Sequence, residues 1–196
     1  MKLNRPLAAI ATVALLAIPT AASADTIVRG DARGDVQVVK LDKDGDVVGE
    51  AAPAPDRAQG DATGVKVTHT KKSVRVLTRY RDLVRSGYQL HQLEIRTGSR
   101  ARILQIEALP GSWKGKATLY TWAGKKARCS TSHTIDYAKN TVLAVVPSKC
   151  LGNPTWVRIG SGAITSYDGN QLYFDDALVT GGTFDSPNAL TGRVYR

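Results

Sequence analysis

Val65-Lys66-Val67-Thr68-His69 and, beyond Lys71-Lys72, Ser73-Val74-Arg75-Val76-Leu77-Thr78-Arg79-Tyr80 decide the fold class. Both runs alternate with a period of two. In the second, Val74, Val76, Thr78 and Tyr80 share one face, and Arg75, Leu77 and Arg79 share the other. Successive side chains of an extended chain point to opposite sides, so this period in β-branched and aromatic residues marks a half-buried strand. The short polar step between the runs predicts a β-hairpin.

The same pattern runs on through the chain. Residues 89–97 alternate again, with His91, Leu93 and Ile95 on one side. Further strands are expected at 102–107, 116–122, 128–137, 141–146, 156–159 and 172–174, with an edge strand near 36–41. Turn formers separate them, such as Pro110-Gly111, Lys139-Asn140 and Gly152-Asn153-Pro154. Only residues 79–86 offer a helical option. Many short strands at this spacing predict an all-β protein, an antiparallel β-sandwich or barrel.

The N-terminus sets the expected compartment. Lys2 and Arg5 precede an apolar run over 7–18, Pro19 breaks it, and Ala22-Ser23-Ala24 precedes polar Asp25. That is the layout of a secretory signal peptide over 1–24. Its apolar run is shorter than the roughly 20 residues a membrane-spanning helix needs. Residues 25–196 then form one domain, with an acidic segment over 25–60 and a basic body over 61–196. The first holds five Lys/Arg against eight Asp/Glu, the second twenty against nine. A basic body outside the cell attracts anionic polymers, teichoic or uronic acid chains among them.

Cys129 and Cys150 are the two cysteines. An even pair in an exported chain reads as a disulfide. A hairpin turning at Lys139-Asn140 would set them opposite each other at its open end. Facing Cα atoms about 4.5–5.5 Å apart can be bridged by a disulfide. Closing this loop stabilises by roughly 3 kcal/mol in the chain-entropy model.

Asp42-Lys43-Asp44-Gly45-Asp46 sets three carboxylates at alternate positions. It reads as a polar hairpin turn or, alternatively, as a calcium loop built on Asp42, Asp44 and Asp46. The fit to an EF-hand is partial, since Val47 follows Asp46 and the twelfth position holds Pro53. A second acidic group would form if Asp31, Asp35, Asp56 and Asp61 met Asp175-Asp176 in space. Among aromatics, Trp122 and Trp156 fall in expected strands and read as core. Trp113, Tyr88 and Tyr167 are the candidates for a sugar-stacking surface. The three histidines read as strand-face residues. Gly111-Ser112-Trp113-Lys114-Gly115 lacks the serine-elbow order, because its serine is second.

The string Cys129…His133-Thr134-Ile135-Asp136-Tyr137…Val146-Pro147…Cys150-Leu151-Gly152-Asn153-Pro154…Trp156-Val157-Arg158-Ile159-Gly160, with Tyr173-Phe174-Asp175-Asp176-Ala177, resembles uncharacterised secreted proteins of high-GC Gram-positive bacteria. More distantly, the Val-Pro-x-x-x-Leu-Gly ending with its acidic pair resembles DOMON-like and family-9 carbohydrate-binding jelly-roll modules. That resemblance implies a sandwich that binds sugars, sometimes with calcium. The leading expectation is therefore a secreted, non-enzymatic module contacting cell-envelope or environmental polysaccharide. The alternatives are an extracellular protein-interaction or structural domain and a secreted hydrolase. Nucleic-acid association would be salt-sensitive and sequence-blind, with no motif behind it.

Overall fold

The computed structural model describes residues 24–166, 169–180 and 189–196. Residues 1–23 of the signal peptide expected over 1–24, and Tyr167, lie outside the described residues. The alternating runs pair into two antiparallel sheets. The smaller has the order β1 (Asp25–Gly30), β4 (Ala62–His69), β5 (Ser73–Tyr80), β10 (Thr141–Pro147) and β9 (Ser132–Asp136). The larger has the order β3 (Val47–Pro53), β2 (Gln37–Leu41), β12 (Gln171–Asp176), β11 (Trp156–Ser166), β6 (Tyr88–Arg96), β7 (Ala101–Ala108) and β8 (Lys116–Thr121). The short β13 (Val194–Tyr195) pairs with the start of β11.

The sheets pack as a sandwich because each offers one apolar face. Val65, Val67, Val74 and Val76 on β4 and β5 are fully buried, as the alternation requires. They join Ile95, Leu104, Ile106 and Ile159 of the larger sheet in one core. Each such side chain contributes about 1.5–3 kcal/mol on burial. The chain crosses between sheets through residues 31–36 after β1 and 54–61 after β3. Those crossovers place several aspartates at the seam.

Cys129 and Cys150 form the disulfide, with Cα atoms 5.8 Å apart. The hairpin route to it needs correction. Thr141 faces Asp136 and Val145 faces Ser132. Continued, that register would set Cys150 opposite Ala127, two residues from its partner. The bond closes because the chain leaves the ladder in a 3-10 turn at Ser148–Leu151, which swings Cys150 inward.

Other expectations are revised too. The edge of the larger sheet is β3, with β2 inside it, paired on both sides. Residues 81–87 form an irregular connection rather than a helix. Strand β9 is shorter than 128–137, and β11 runs past Ile159 to Ser166. Trp122 is not core: it is 50% exposed, and the Arg96 guanidinium lies 3.8 Å from its ring centre. Trp156 is half-buried under Arg193, 4.5 Å away. No helix among the described residues is long and apolar enough to cross a membrane.

Candidate metal centre

Asp31, Asp35 and Asp175 each bring one carboxylate oxygen into a group whose members lie within 4.8 Å of one another. They come from two segments, the first crossover and β12. Asp31 follows the last residue of β1, and its N–H donates to the Thr63 carbonyl at 3.3 Å. Asp35 closes the same crossover and is buried. Asp175 faces inward from β12, opposite Ala163 of β11. Its Oδ2 accepts the Ala62 N–H at 2.6 Å.

Asp61 stands beside this trio. It is fully buried, and its Oδ2 accepts the Gly34 N–H at 2.8 Å and faces Arg81 Nη1 at 3.0 Å. Arg81 also donates to the carbonyls of Pro55 and Asp56, so one guanidinium ties the second crossover to β5. Gly34 is what lets the first crossover sit this close. Its φ is +75°, and a Cβ there would meet the Pro55 carbonyl oxygen at 3.0 Å. A side chain would carry both a left-handed backbone penalty and that contact.

Among the described residues, Asp175 Oδ1, Asp61 Oδ1 and Asp31 Oδ2 are buried with no hydrogen-bond partner. Leaving a buried charged oxygen unmatched is costly, so the group either binds a cation or takes up protons. The electrostatics show the second tendency. Burial, then the neighbouring Asp35 carboxylate, pushes Asp31 up to about 7. Burial, reinforced by Asp35, Asp31 and Asp61, pushes Asp175 up to about 8. Burial also raises Asp61, against the Gly34 N–H and Arg81, which pull it down.

Hard carboxylate oxygens alone, without imidazole or thiolate, are calcium or magnesium chemistry. Calcium–oxygen distances of about 2.3–2.6 Å put ligands on opposite sides of one ion at most about 5 Å apart. The spread of the three oxygens fits that span. Asp176 belongs elsewhere: its carboxylate accepts the N–H groups of Leu178 and Ala189 and anchors the C-terminal segment. Asp56 contributes only its backbone carbonyl to Arg81.

The residues singled out by spacing have other surroundings. Asp42 Oδ1 accepts the N–H groups of Asp44 and Asp46, both at 2.9 Å, and closes the turn from β2 to β3. Asp44 pairs with Lys43 on the exposed tip. Trp113 is half-buried in the loop after β7, edge-on to Tyr137 with ring centres 6.3 Å apart. Tyr88 instead donates its hydroxyl to Glu107 at 3.3 Å. The two aromatics make separate contacts. His91 bonds Tyr80, and burial holds its imidazole down, at about 4. His69 is buried against the Val194 carbonyl, and His133 lies against that of Lys114.

One sequence signal does mark the cluster. Asp31, Asp35 and Asp61 each follow a glycine, at Gly30, Gly34 and Gly60. Glycine–aspartate steps at sheet crossovers give tight backbone approach with a carboxylate beside it. No family model, curated protein or solved structure matches the chain.

Proposed function

We propose that the protein is a secreted, non-enzymatic polysaccharide-binding module whose sandwich is stapled by calcium. The observation that carries the calcium is the meeting of Asp31, Asp35 and Asp175 where the two sheets join, with Asp31 Oδ2 and Asp175 Oδ1 buried and lacking a hydrogen-bond partner among the described residues. A cation there links the first crossover to β12, and Asp61 completes the acidic wall. It acts as a structural staple that substitutes for protons on the cluster. Secretion is supported by the N-terminal charge, apolar run and Ala-x-Ala ending, and by the disulfide. The jelly-roll character and the polysaccharide partner rest on the distant resemblance and on the cationic body.

Calcium titration of the chelator-treated mature protein tests the site. One ion per chain is expected, with a rise in Tm that chelator reverses. Asp175→Asn removes both. Heat-silent titration together with an unmoved Tm in millimolar calcium discards the metal. Pull-down on insoluble and soluble polysaccharides tests the partner separately.

An extracellular protein-interaction domain is the second reading. It is favoured by β3, an edge strand exposed along its length, with Val47 and Val48 at 44% and 53%. Such an edge can accept a partner strand. A stoichiometric protein recovered from secreted or wall fractions, and lost on Val48→Lys, distinguishes it.

A further inference from the structure

The alternation that buries Val74 and Val76 turns Arg75, Leu77 and Arg79 outward. Across the smaller sheet these residues fall into rungs. The central rung runs Lys66, Leu77, Leu143, Thr134 from β4 to β9, each directly facing the next. The rung on one side holds Thr68, Arg75, Val145 and Ser132. On the other side Arg79 faces Thr141, which faces Asp136.

Two depressions lie along this face, of 480 and 240 Å³, and both are floored by Leu77 and Leu143. They form one shallow groove across four strands, about 14 Å long at the usual strand spacing. Its charge is one-sided. Lys66, Arg75 and Arg79 are exposed and form no ion pair among the described residues. Asp136, the acid in the groove wall, is already paired with Lys139 at 3.2 Å.

The mixture selects the occupant's chemistry. Unpaired cations ask for an anionic chain. Threonine and serine hydroxyls both donate and accept, which suits sugar hydroxyls. The aliphatic floor gives the C–H faces of sugar rings apolar contact. Single-stranded nucleic acid binds on aromatic platforms that stack bases, and the residues lining this groove include none.

We propose that the outer face of the smaller sheet is the docking surface for a carboxylated polysaccharide, seated across Leu77 and Leu143 between Lys66, Arg75 and Arg79. This rests on the polysaccharide-binding reading above and adds to it the face and the ligand class. The chain lies across the strands. Its carboxylates meet the guanidinium and ammonium groups, while its rings rest on the leucines.

Affinity electrophoresis of the calcium-treated mature protein tests it, in gels cast with polygalacturonate, with dextran or with double-stranded DNA. Polygalacturonate is expected to retard the wild type, and dextran to leave it unmoved. Arg75→Glu with Arg79→Glu is expected to weaken retention by about tenfold or more. Lys125→Glu with Lys126→Glu, on the turn after β8, changes the net charge equally and is expected to stay within about twofold. Thermal unfolding of each variant reports its folding, and Arg75→Gln with Arg79→Gln replaces the reversal if that variant unfolds. Equal loss in both charge-reversed pairs reduces the effect to net charge and overturns the face. Undiminished binding in the Arg75/Arg79 pair also overturns the face while leaving the module reading intact. Equal retardation by DNA or by dextran overturns the ligand class. Retardation by neither sugar polymer removes the polysaccharide reading itself.

Discussion

Arg81 reaches into the seam between the sheets, where its Nη1 lies 3.0 Å from the fully buried Asp61 carboxylate. Arg79, two residues earlier, stands exposed on the outer face of β5. Strand geometry separates them, because one residue belongs to the outward set and the other to the turn after the strand. At the seam few charges act, wholly or partly desolvated, and they govern stability through pairing and protonation. On the outer face several charges act in water, are screened by salt, and govern which molecules approach. The same residue type is therefore structural in one place and, in the proposed docking surface, a recognition group in the other.

The largest expected effect removes the seam's guanidinium. Arg81→Met leaves Asp61 buried without its counter-charge and frees the Pro55 and Asp56 carbonyls. Breaking such a pair costs about 3 kcal/mol, the low end of the buried range because Arg81 is partly exposed. The urea midpoint of metal-free protein reads this directly. Saturating calcium is expected to shrink the loss, since the ion supplies positive charge to the same wall. A loss unaffected by calcium would separate Asp61 from the metal centre.

Next in size is calcium itself. At about a hundred times its dissociation constant a ligand bound only to the folded state adds about 2.7 kcal/mol. Asp175→Asn is expected to abolish that gain while retaining the Ala62 N–H bond through its amide oxygen. In chelator at about pH 8, Asp175→Asn is expected to unfold at a higher temperature than wild type, because it removes one carboxylate from a crowded, desolvated group. Wild type keeping the higher Tm there would contradict the electrostatic account of the seam.

A smaller effect is the pH drift of the metal-free protein. Asp31 and Asp175 hold protons in the fold up to about 7 and 8, and release them near 4 when unfolded. Between those limits the folded state binds more protons, so stability is present at low pH and is lost as pH rises. His91 has the opposite sign. Its imidazole stays neutral down to about 4, so its contribution is lost as pH falls below about 6.5. The two oppose each other below about 6.5, and above it the aspartates act alone. The Tm of metal-free protein is therefore expected to fall from about pH 6.5 to 8. Calcium should remove the fall, and Asp175→Asn should reduce it. A Tm that climbs through that window in chelator refutes the assignment.

How much of this was legible in the sequence follows the same division. The inward and outward faces of β5 were readable because Val74, Val76, Arg75 and Arg79 alternate without interruption. Strand β11 was readable only to Ile159, since Gly160 and Gly162 carry no side chain to mark a face. The acidic seam was visible as a set of aspartates but not as a place. Asp31 and Asp175 lie at opposite ends of the chain, and only the crossovers and the Asp175–Ala62 contact bring them together. Asp42, Asp44 and Asp46 carried the more regular spacing, yet short spacing is also what a turn needs, and Asp42 spends its oxygen on the turn's own N–H groups. Trp122 fell at the end of an expected strand, where apolar character says core, while the Arg96 guanidinium stacked on its exposed ring supplies the cover instead.

The smallest expected effect lies on the face that recognition would use. Arg79→Gln removes an exposed charge with no ion pair among the described residues, opposite Thr141 on the neighbouring strand. Its backbone bonds are untouched, and glutamine keeps part of the aliphatic stem that rests beside Leu77. Surface changes of this kind stay within about 0.5 kcal/mol. The urea midpoint of Arg79→Gln is thus expected to match wild type, against the large shift for Arg81→Met two positions on. Like cations crowd this face, so the sign of any small change should be stabilising at low salt and vanish at high salt. A loss approaching that of Arg81→Met, in either salt, would mean that the outer face is held together by its charges. The division between a structural seam and a recognition surface would then fail.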